Sequence, residues 1–214
     1  MATTSIKQRI GYAIILLVMV GGTLGGFILM TYQAANPDSK ALAQKQEMAD
    51  LQKKWAKYQQ ETAAWQAQIA AKYSPIYYDQ FKDYQNANQA YNTESVKELT
   101  TKDLKVGDGV EITADTKYYA YYIGWLPDGT VFDSSFDDGK LKAPLEGRGL
   151  IDGWNKGVLG MKIGGVRELT IPANLAYGDK SAGKVPANSP IKFVVLAIPP
   201  LTDEELASKP VFQR

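Results

Sequence analysis

From Val106 to Leu201 the chain consists of β-branched and aromatic runs of strand length, separated by clusters of Gly, Asp and Pro. That pattern restricts the segment to a mostly β domain. The runs are Val110 to Ala114, Lys117 to Leu126, Thr130 to Ser134, Gly165 to Ile171 and Ile191 to Ile198. Pro127-Asp128-Gly129 lies between two of them and has the chemistry of a hairpin turn. In the same span Ile151, Trp154, Val158 and Met161 share one face at helical spacing, which predicts one short helix over Ile151 to Met161. Laying that apolar stripe across one face of a twisted antiparallel sheet gives an α+β domain of about 95 residues.

The segments before this domain differ in kind. Ile10 to Met30 is an almost unbroken apolar run without a charge, and a helix needs roughly 20 such residues to cross a bilayer. Residues 10–31 are therefore expected to form a transmembrane helix that contacts the lipid bilayer. Lys7 and Arg9 precede the run and the next basic residues are Lys40 and Lys45, which places residues 1–9 inside and the remainder outside a cell membrane as a single-pass protein. A cleaved signal peptide is the competing account. The run is longer than a signal core, and Thr31-Tyr32-Gln33-Ala34-Ala35 makes a poor cleavage site. Gly21, Gly22, Gly25 and Gly26 form small-xxx-small pairs, which either bring two helices together or are merely tolerated.

Residues 36–99 read as a helical stalk or helical hairpin. Asn36-Pro37 suits a helix start. Met48, Leu51, Trp55, Tyr58, Trp65 and Ile69 then recur in steps of three and four, with Thr62 at one seam position. The seam fits a coiled coil that makes a homodimer, a helix packed on another partner, or a solvated stalk whose aromatics fold back on the chain. Ser74-Pro75 should end this helix. Ile76 to Leu99, with Tyr77, Tyr78, Phe81, Tyr84 and Tyr91, suggests a second one, packed on the first or holding extended client chains. At the other end, Thr202-Asp203-Glu204-Glu205 resembles a capping box opening a short helix in the tail, residues 202–214.

Composition excludes several chemistries. There is no cysteine and no histidine, which removes disulfides, thiolate nucleophiles, the usual zinc sites and every triad that needs imidazole. No metal or cofactor is expected. A formal charge of +1 without a long basic run leaves no electrostatic footprint for nucleic acid. A site working through shape and a few hydrogen bonds remains open.

Several blocks now stand in one order: Val106-Gly107-Asp108-Gly109, Tyr122-Ile123-Gly124 leading to Asp128-Gly129, and Phe132-Asp133-Ser134-Ser135. Leu150-Ile151-Asp152-Gly153-Trp154 and Gly160-Met161-Lys162-Ile163-Gly164-Gly165 follow, then Ile171-Pro172 with Leu175-Ala176-Tyr177-Gly178, and Val185-Pro186 through Phe193. Together they resemble the FKBP family of peptidyl-prolyl cis/trans isomerases, which bind tacrolimus and rapamycin. The resemblance implies an FKBP-like antiparallel sheet of five to six strands wrapped on one short helix over residues 104–201. It also implies rotamase activity on proline-containing, unfolded or folding polypeptides.

Carried over position by position, the resemblance makes Trp154 the floor of a pocket, with Tyr122, Phe132, Leu150, Ile151, Tyr177 and Phe193 around it. Asp133 would be a buried polar group, the Tyr177 hydroxyl and the Ile151 N–H would bind substrate carbonyls, and Val185 would sit on the rim. From the residues alone each aromatic could simply be core. Phe132 and Asp133 are adjacent, so both serve one pocket only if a bulge or strand end redirects one of them. Leu141 stands where the family has a large aromatic, Leu145-Glu146-Gly147-Arg148-Gly149 departs from the usual loop, and Asp179 to Lys184 is short and lacks an aromatic. These departures bear on substrate preference and drug affinity. A membrane-tethered chaperone or binding module with a silent pocket is the alternative reading.

Overall fold

The computed structural model describes residues 39–213. The segment 1–9, the apolar run over residues 10–31 and the Asn36-Pro37 start lie outside them. Among the described residues no helix is long and apolar enough to cross a membrane. Two compact units are present: residues 39–67 with 204–213, and Gln68–Asp203.

The larger unit is built on an antiparallel sheet. Strands β1 (Thr100–Lys105), β2 (Tyr119–Trp125), β3 (Val131–Ser134), β6 (Leu145–Glu146), β7 (Val166–Ile171) and β8 (Ile191–Ile198) form it in the order β1-β7-β8-β2-β3, with β6 pairing β2. Strands β4 (Phe136–Asp137) and β5 (Lys140–Leu141) make a separate two-stranded hairpin. Of the five expected strands, four are present. The run Val110 to Ala114 is not a strand: it contributes only a bridge from Glu111 to Lys162. The edge position beside β7 belongs to Thr100–Lys105, which begins before the expected domain start. The polar run of β1 is exposed along nearly its whole length, so it carries no alternation that would mark it as a strand.

Helix α2 (Asp152–Gly157) packs on one face of the sheet, against Leu169, Ile171, Phe193 and Val195. An added Cβ at Gly153 would lie 2.2 Å from Ile171 Cγ2, so this close approach of helix to sheet needs glycine there. Arg167 reaches from β7 to the end of the helix. Its Nη1 donates to the carbonyls of Gly157 and Leu159 at 3.0 and 2.9 Å, and its Nε donates to Asp103 Oδ1 at 2.6 Å. A cation placed on the last carbonyls of a helix satisfies groups that have no partner inside it.

The opposite face is also covered. Tyr119, Tyr121, Ile123, Trp125, Val194, Leu196 and Ile198 are all buried, and the covering comes from the segment before the domain. Helix α1 runs Ser39–Phe81, past Pro75, without the break expected at Ser74-Pro75. Pro75 and Ala71, whose carbonyl loses its partner at Pro75, are both exposed, so the missing hydrogen bond lies on the solvent side of the helix. Tyr77 packs on Tyr121, with ring centroids 6.0 Å apart, and Phe81 is fully buried. Those contacts offset the local cost of proline. Among the described residues there is consequently one long helix and no helical hairpin. Between two short 3-10 turns at Lys82–Tyr84 and Thr93–Ser95, the chain is tied to the end of β2 and to the turn that follows it. Gln89 there accepts from Trp125 Nε1 at 3.0 Å, and the Tyr91 hydroxyl donates to the Pro190 carbonyl at 3.1 Å.

In the smaller unit the aromatic seam of α1 is used by the chain itself. Phe212 packs edge-on against Trp55 and Tyr58, at 5.2 and 5.6 Å. Trp65 Nε1 donates to the Glu205 carbonyl and to Ser208 Oγ, beside helix α3 (Asp203–Ala207). The tail covers these residues, whereas Met48 and Leu51 remain 42% and 36% exposed.

Candidate active site

The site lies on the face of the sheet that carries α2. Ala120, Tyr122 and Gly124 alternate onto that face from β2, with Tyr118 just before the strand, and Phe193 faces it from β8, where Gly124 pairs with Phe193. Four rings converge. Trp154 meets Phe193 at 5.1 Å and Tyr122 at 5.7 Å, and Phe193 meets Phe132 at 5.5 Å and Tyr122 at 6.0 Å. All four contacts are edge-to-face, the arrangement that the ring quadrupoles favour. An added Cβ at Gly124 would fall 2.5 Å from Phe193 and 2.7 Å from Phe132. Glycine is thus required where those two rings meet.

The bulge that the Phe132-Asp133 pair demanded is present. Ile123 pairs with Ser134 and Gly124 with Asp133, but Trp125 pairs with Val131. Phe132 is the extra residue, so its ring and the Asp133 carboxylate both serve the site. Asp133 is exposed rather than buried, because β3 is the edge strand of the sheet. Its Oδ2 accepts from the Tyr122 hydroxyl at 2.5 Å and its Oδ1 from the Ser134 N–H at 2.8 Å. Burial and then the neighbouring Asp133 charge push the Tyr122 hydroxyl far above its usual range, so it is a permanent donor.

Trp154 is 2% exposed, and its indole N–H donates to the Tyr118 hydroxyl at 3.0 Å. Tyr118 in turn donates to the Gly147 carbonyl at 2.6 Å. Burial raises the Tyr118 hydroxyl to about 12. Sequence reasoning passed over Tyr118 and Gly124 as members of the site. Their signal was positional: both share strand parity with Tyr122.

Leu150, Ile151 and Tyr177 are half-buried and pack on the same cluster. Ile151 stands at the start of α2 with extended backbone, its carbonyl accepting from the Asn155 N–H. Its own N–H donates to no described residue. Two expectations need correction. Val185 is 2% exposed and belongs to the core cluster, not the rim, because the Ala182–Val185 bridge folds the loop inward. Leu141 is buried outside the Trp154 cluster, opposite Phe136 in the β4–β5 hairpin, where its N–H donates to Ser74 Oγ at 2.8 Å. Among the described residues no group of acidic side chains could hold a metal ion.

Residues 107–197 match the family described as FKBP-type peptidyl-prolyl cis-trans isomerase. The FK506-binding protein of Neisseria meningitidis serogroup A is 43% identical over 88 residues, which are 41% of this chain and 81% of that protein. The chain belongs to the FKBP family. FK506-binding protein 4 of Gibberella zeae is 39% identical over 115 residues, 53% of this chain but 23% of that protein. The chain therefore spans about a quarter of the length of such larger FKBP relatives. Among solved structures, a peptidyl-prolyl cis-trans isomerase of Pseudomonas syringae pv. tomato shares 29% identity, with 47% of this chain and 73% of that one covered and a TM-score of 0.41.

Proposed function

We propose that this FKBP domain catalyses cis/trans isomerisation of X-Pro bonds by accepting the twisted imide in the pocket around Trp154. The observation that carries the reading is the convergence of Tyr122, Phe132, Trp154 and Phe193, with the Ile151 N–H donating to no described residue. Rotation about the bond breaks amide resonance, with a barrier of about 18–20 kcal/mol. No bond between heavy atoms forms or breaks, so a chain without histidine or cysteine is equal to the task. A dry aromatic wall takes the proline ring and withdraws the water that stabilises the planar, polar amide. Binding the perpendicular form more tightly than either planar one lowers the barrier, about tenfold in rate for each 1.4 kcal/mol of preference. Tacrolimus and rapamycin are expected to occupy the same pocket on the strength of the family resemblance, and the relatives are named for binding FK506, which is tacrolimus.

A protease-coupled assay on a proline tetrapeptide tests the activity. A Phe132→Ala, Asp133→Ala double variant that turned over as fast as the wild type would remove the pocket from the mechanism.

The client-holding alternative has less support, because the aromatics it relied on are engaged with the chain's own sheet and tail. Dimerisation through α1 would have to use Met48 and Leu51, the seam residues still exposed. The uncharged run Ile10 to Met30 behind Lys7 and Arg9 supports a single-pass tether with the isomerase domain, and hence its clients, outside the membrane. Protease accessibility of the domain in sealed vesicles of known orientation tests that arrangement.

A further inference from the structure

The edge of the pocket continues directly into an element that has little to hold it. Beyond the bulge at Phe132 the pairing of β3 with β2 ends at Ser134. The chain is then tied by Ser135, whose N–H donates to the Tyr122 carbonyl at 2.8 Å while its hydroxyl accepts from the Tyr122 N–H at 2.9 Å. Next comes the β4–β5 hairpin, two residues per strand and outside the main sheet, turning through Asp138 and Gly139 with φ of 42° and 73°. A two-stranded hairpin of that length does not hold its own shape in water.

The hairpin is gripped at both of its strands by the last turns of α1. Phe81 stacks on Phe136 in β4, with centroids 5.1 Å apart and planes within 3°. Ser74 Oγ accepts from the Leu141 N–H in β5, and this bond is buried. Ser74 and Phe81 are seven residues apart, two helical turns, and so share one face of α1. Tyr77, between them on that face, rests on Tyr121 and fixes the helix to the sheet. Both gripping residues lie before residues 107–197, the part that matches the family.

Resting on the isomerase reading, we infer that the end of α1 is a clamp for the pocket edge, with Ser74 and Phe81 acting as positioning residues for Phe132 and Asp133. Neither touches the pocket. Each fixes the hairpin into which the Phe132-Asp133 segment runs, so loosening either one frees that segment to leave the Tyr122 hydroxyl and the Phe193 ring. The N-terminal arm is then part of the catalytic apparatus rather than a spacer.

The test uses the full chain with Phe81→Ala, Phe81→Leu and Ser74→Ala, and Tyr91→Phe as comparator. Tyr91→Phe removes a hydrogen bond from the same arm, to Pro190, without touching the hairpin. Hydrogen exchange is read at the Leu141 and Lys142 amides, which bond to Ser74 and to the Ser135 carbonyl, and at the β8 amides. Turnover is read as kcat and KM separately. The clamp predicts faster exchange at Leu141 and Lys142 in Phe81→Ala with β8 unchanged. It also predicts a loss of about tenfold in kcat, because misplaced groups at the edge fail mainly in the transition state. Phe81→Leu should recover part of the loss and Ser74→Ala show a smaller one, while Tyr91→Phe shows neither effect. Ser74→Ala deletes a single oxygen and keeps the test open should Phe81→Ala not fold. Hairpin amides as protected in the variants as in the wild type, or unchanged kcat in folded variants, would overturn the clamp. A wild type without turnover would sink the isomerase reading alone, since the exchange measurement still judges the clamp.

Discussion

The Tyr122 hydroxyl donates to Asp133 Oδ2 across the bulge that Phe132 makes in β3, joining the central strand of the pocket to its edge. The bond ties an exposed carboxylate to a half-buried ring, and it holds Phe132 against Phe193 because Phe132 and Asp133 are consecutive. Tyr122→Phe keeps the ring and deletes the donor, whereas Asp133→Asn keeps the shape and deletes the charge. Each should lower kcat/KM about fivefold, the worth of roughly 1 kcal/mol for a partly solvated bond. The double variant should lose little more than either single one, since both act on the same bond, one by deleting its donor and the other by removing the charge that strengthens it. Multiplying losses in the tetrapeptide assay would show that the two residues act separately.

Gly124→Ala tests whether the aromatic junction tolerates one methyl group. The new Cβ would stand 2.5 Å from Phe193 Cε1 and 2.7 Å from Phe132 Cζ, both ring carbons. The rings must part, and overpacking of this sort costs about 1–3 kcal/mol of stability. A fall in the denaturation midpoint accompanied by a loss of turnover beyond tenfold is expected. A stable and fully active variant would mean that the rings can separate without consequence.

Much of this was readable in the sequence. The continuous apolar run of β8 from Ile191 to Ile198, broken only at Lys192, indicates a strand buried on both faces, and the Ile151 to Met161 stripe located α2. The adjacency of Phe132 and Asp133 required a bulge, which the register contains. What escaped was decided by tertiary contact. Thr100–Lys105 has no alternation, because an edge strand in water needs none. Pro75 stops an isolated helix, yet α1 continues to Phe81 because Tyr77 and Phe81 have a sheet and a hairpin to pack on. The same contacts explain why Leu141 serves the hairpin instead of the pocket.

Acid should loosen the join between β1 and β7. The hydrogen bonds from Arg167, with its charge, hold the Asp103 carboxyl below its ordinary value. A depressed folded-state value means that stability is fully present above the unfolded value near 4 and is lost as pH falls through the folded one. Asp103 is 44% exposed at its side chain, so solvent screening limits the effect to about 1 kcal/mol. Chemical denaturation from pH 6 down to pH 2 should show a shallower decline in Asp103→Asn than in the wild type. Parallel declines would remove Asp103 from the acid response.

Alkali should act through the floor of the pocket. Tyr118 accepts from the Trp154 indole N–H and donates to the Gly147 carbonyl, and burial raises its hydroxyl from the ordinary value of 10.0 to about 12. For a raised value, the stabilisation is complete below pH 10 and disappears as pH climbs through the folded value. Once ionised, Tyr118 has no proton for Gly147, and two oxygen acceptors then face each other in a buried space. Tyr118→Phe should already be weaker at neutral pH by about 1–3 kcal/mol, because the Gly147 carbonyl and the indole N–H lose their partner. Its stability should nevertheless fall less steeply than that of the wild type between pH 10 and 12. Tyr121, Tyr122 and Tyr91 are raised as well, so both proteins share that background and only the difference in slope reports on Tyr118. Equal slopes would show that the Tyr118 proton on the Gly147 carbonyl does not contribute to stability.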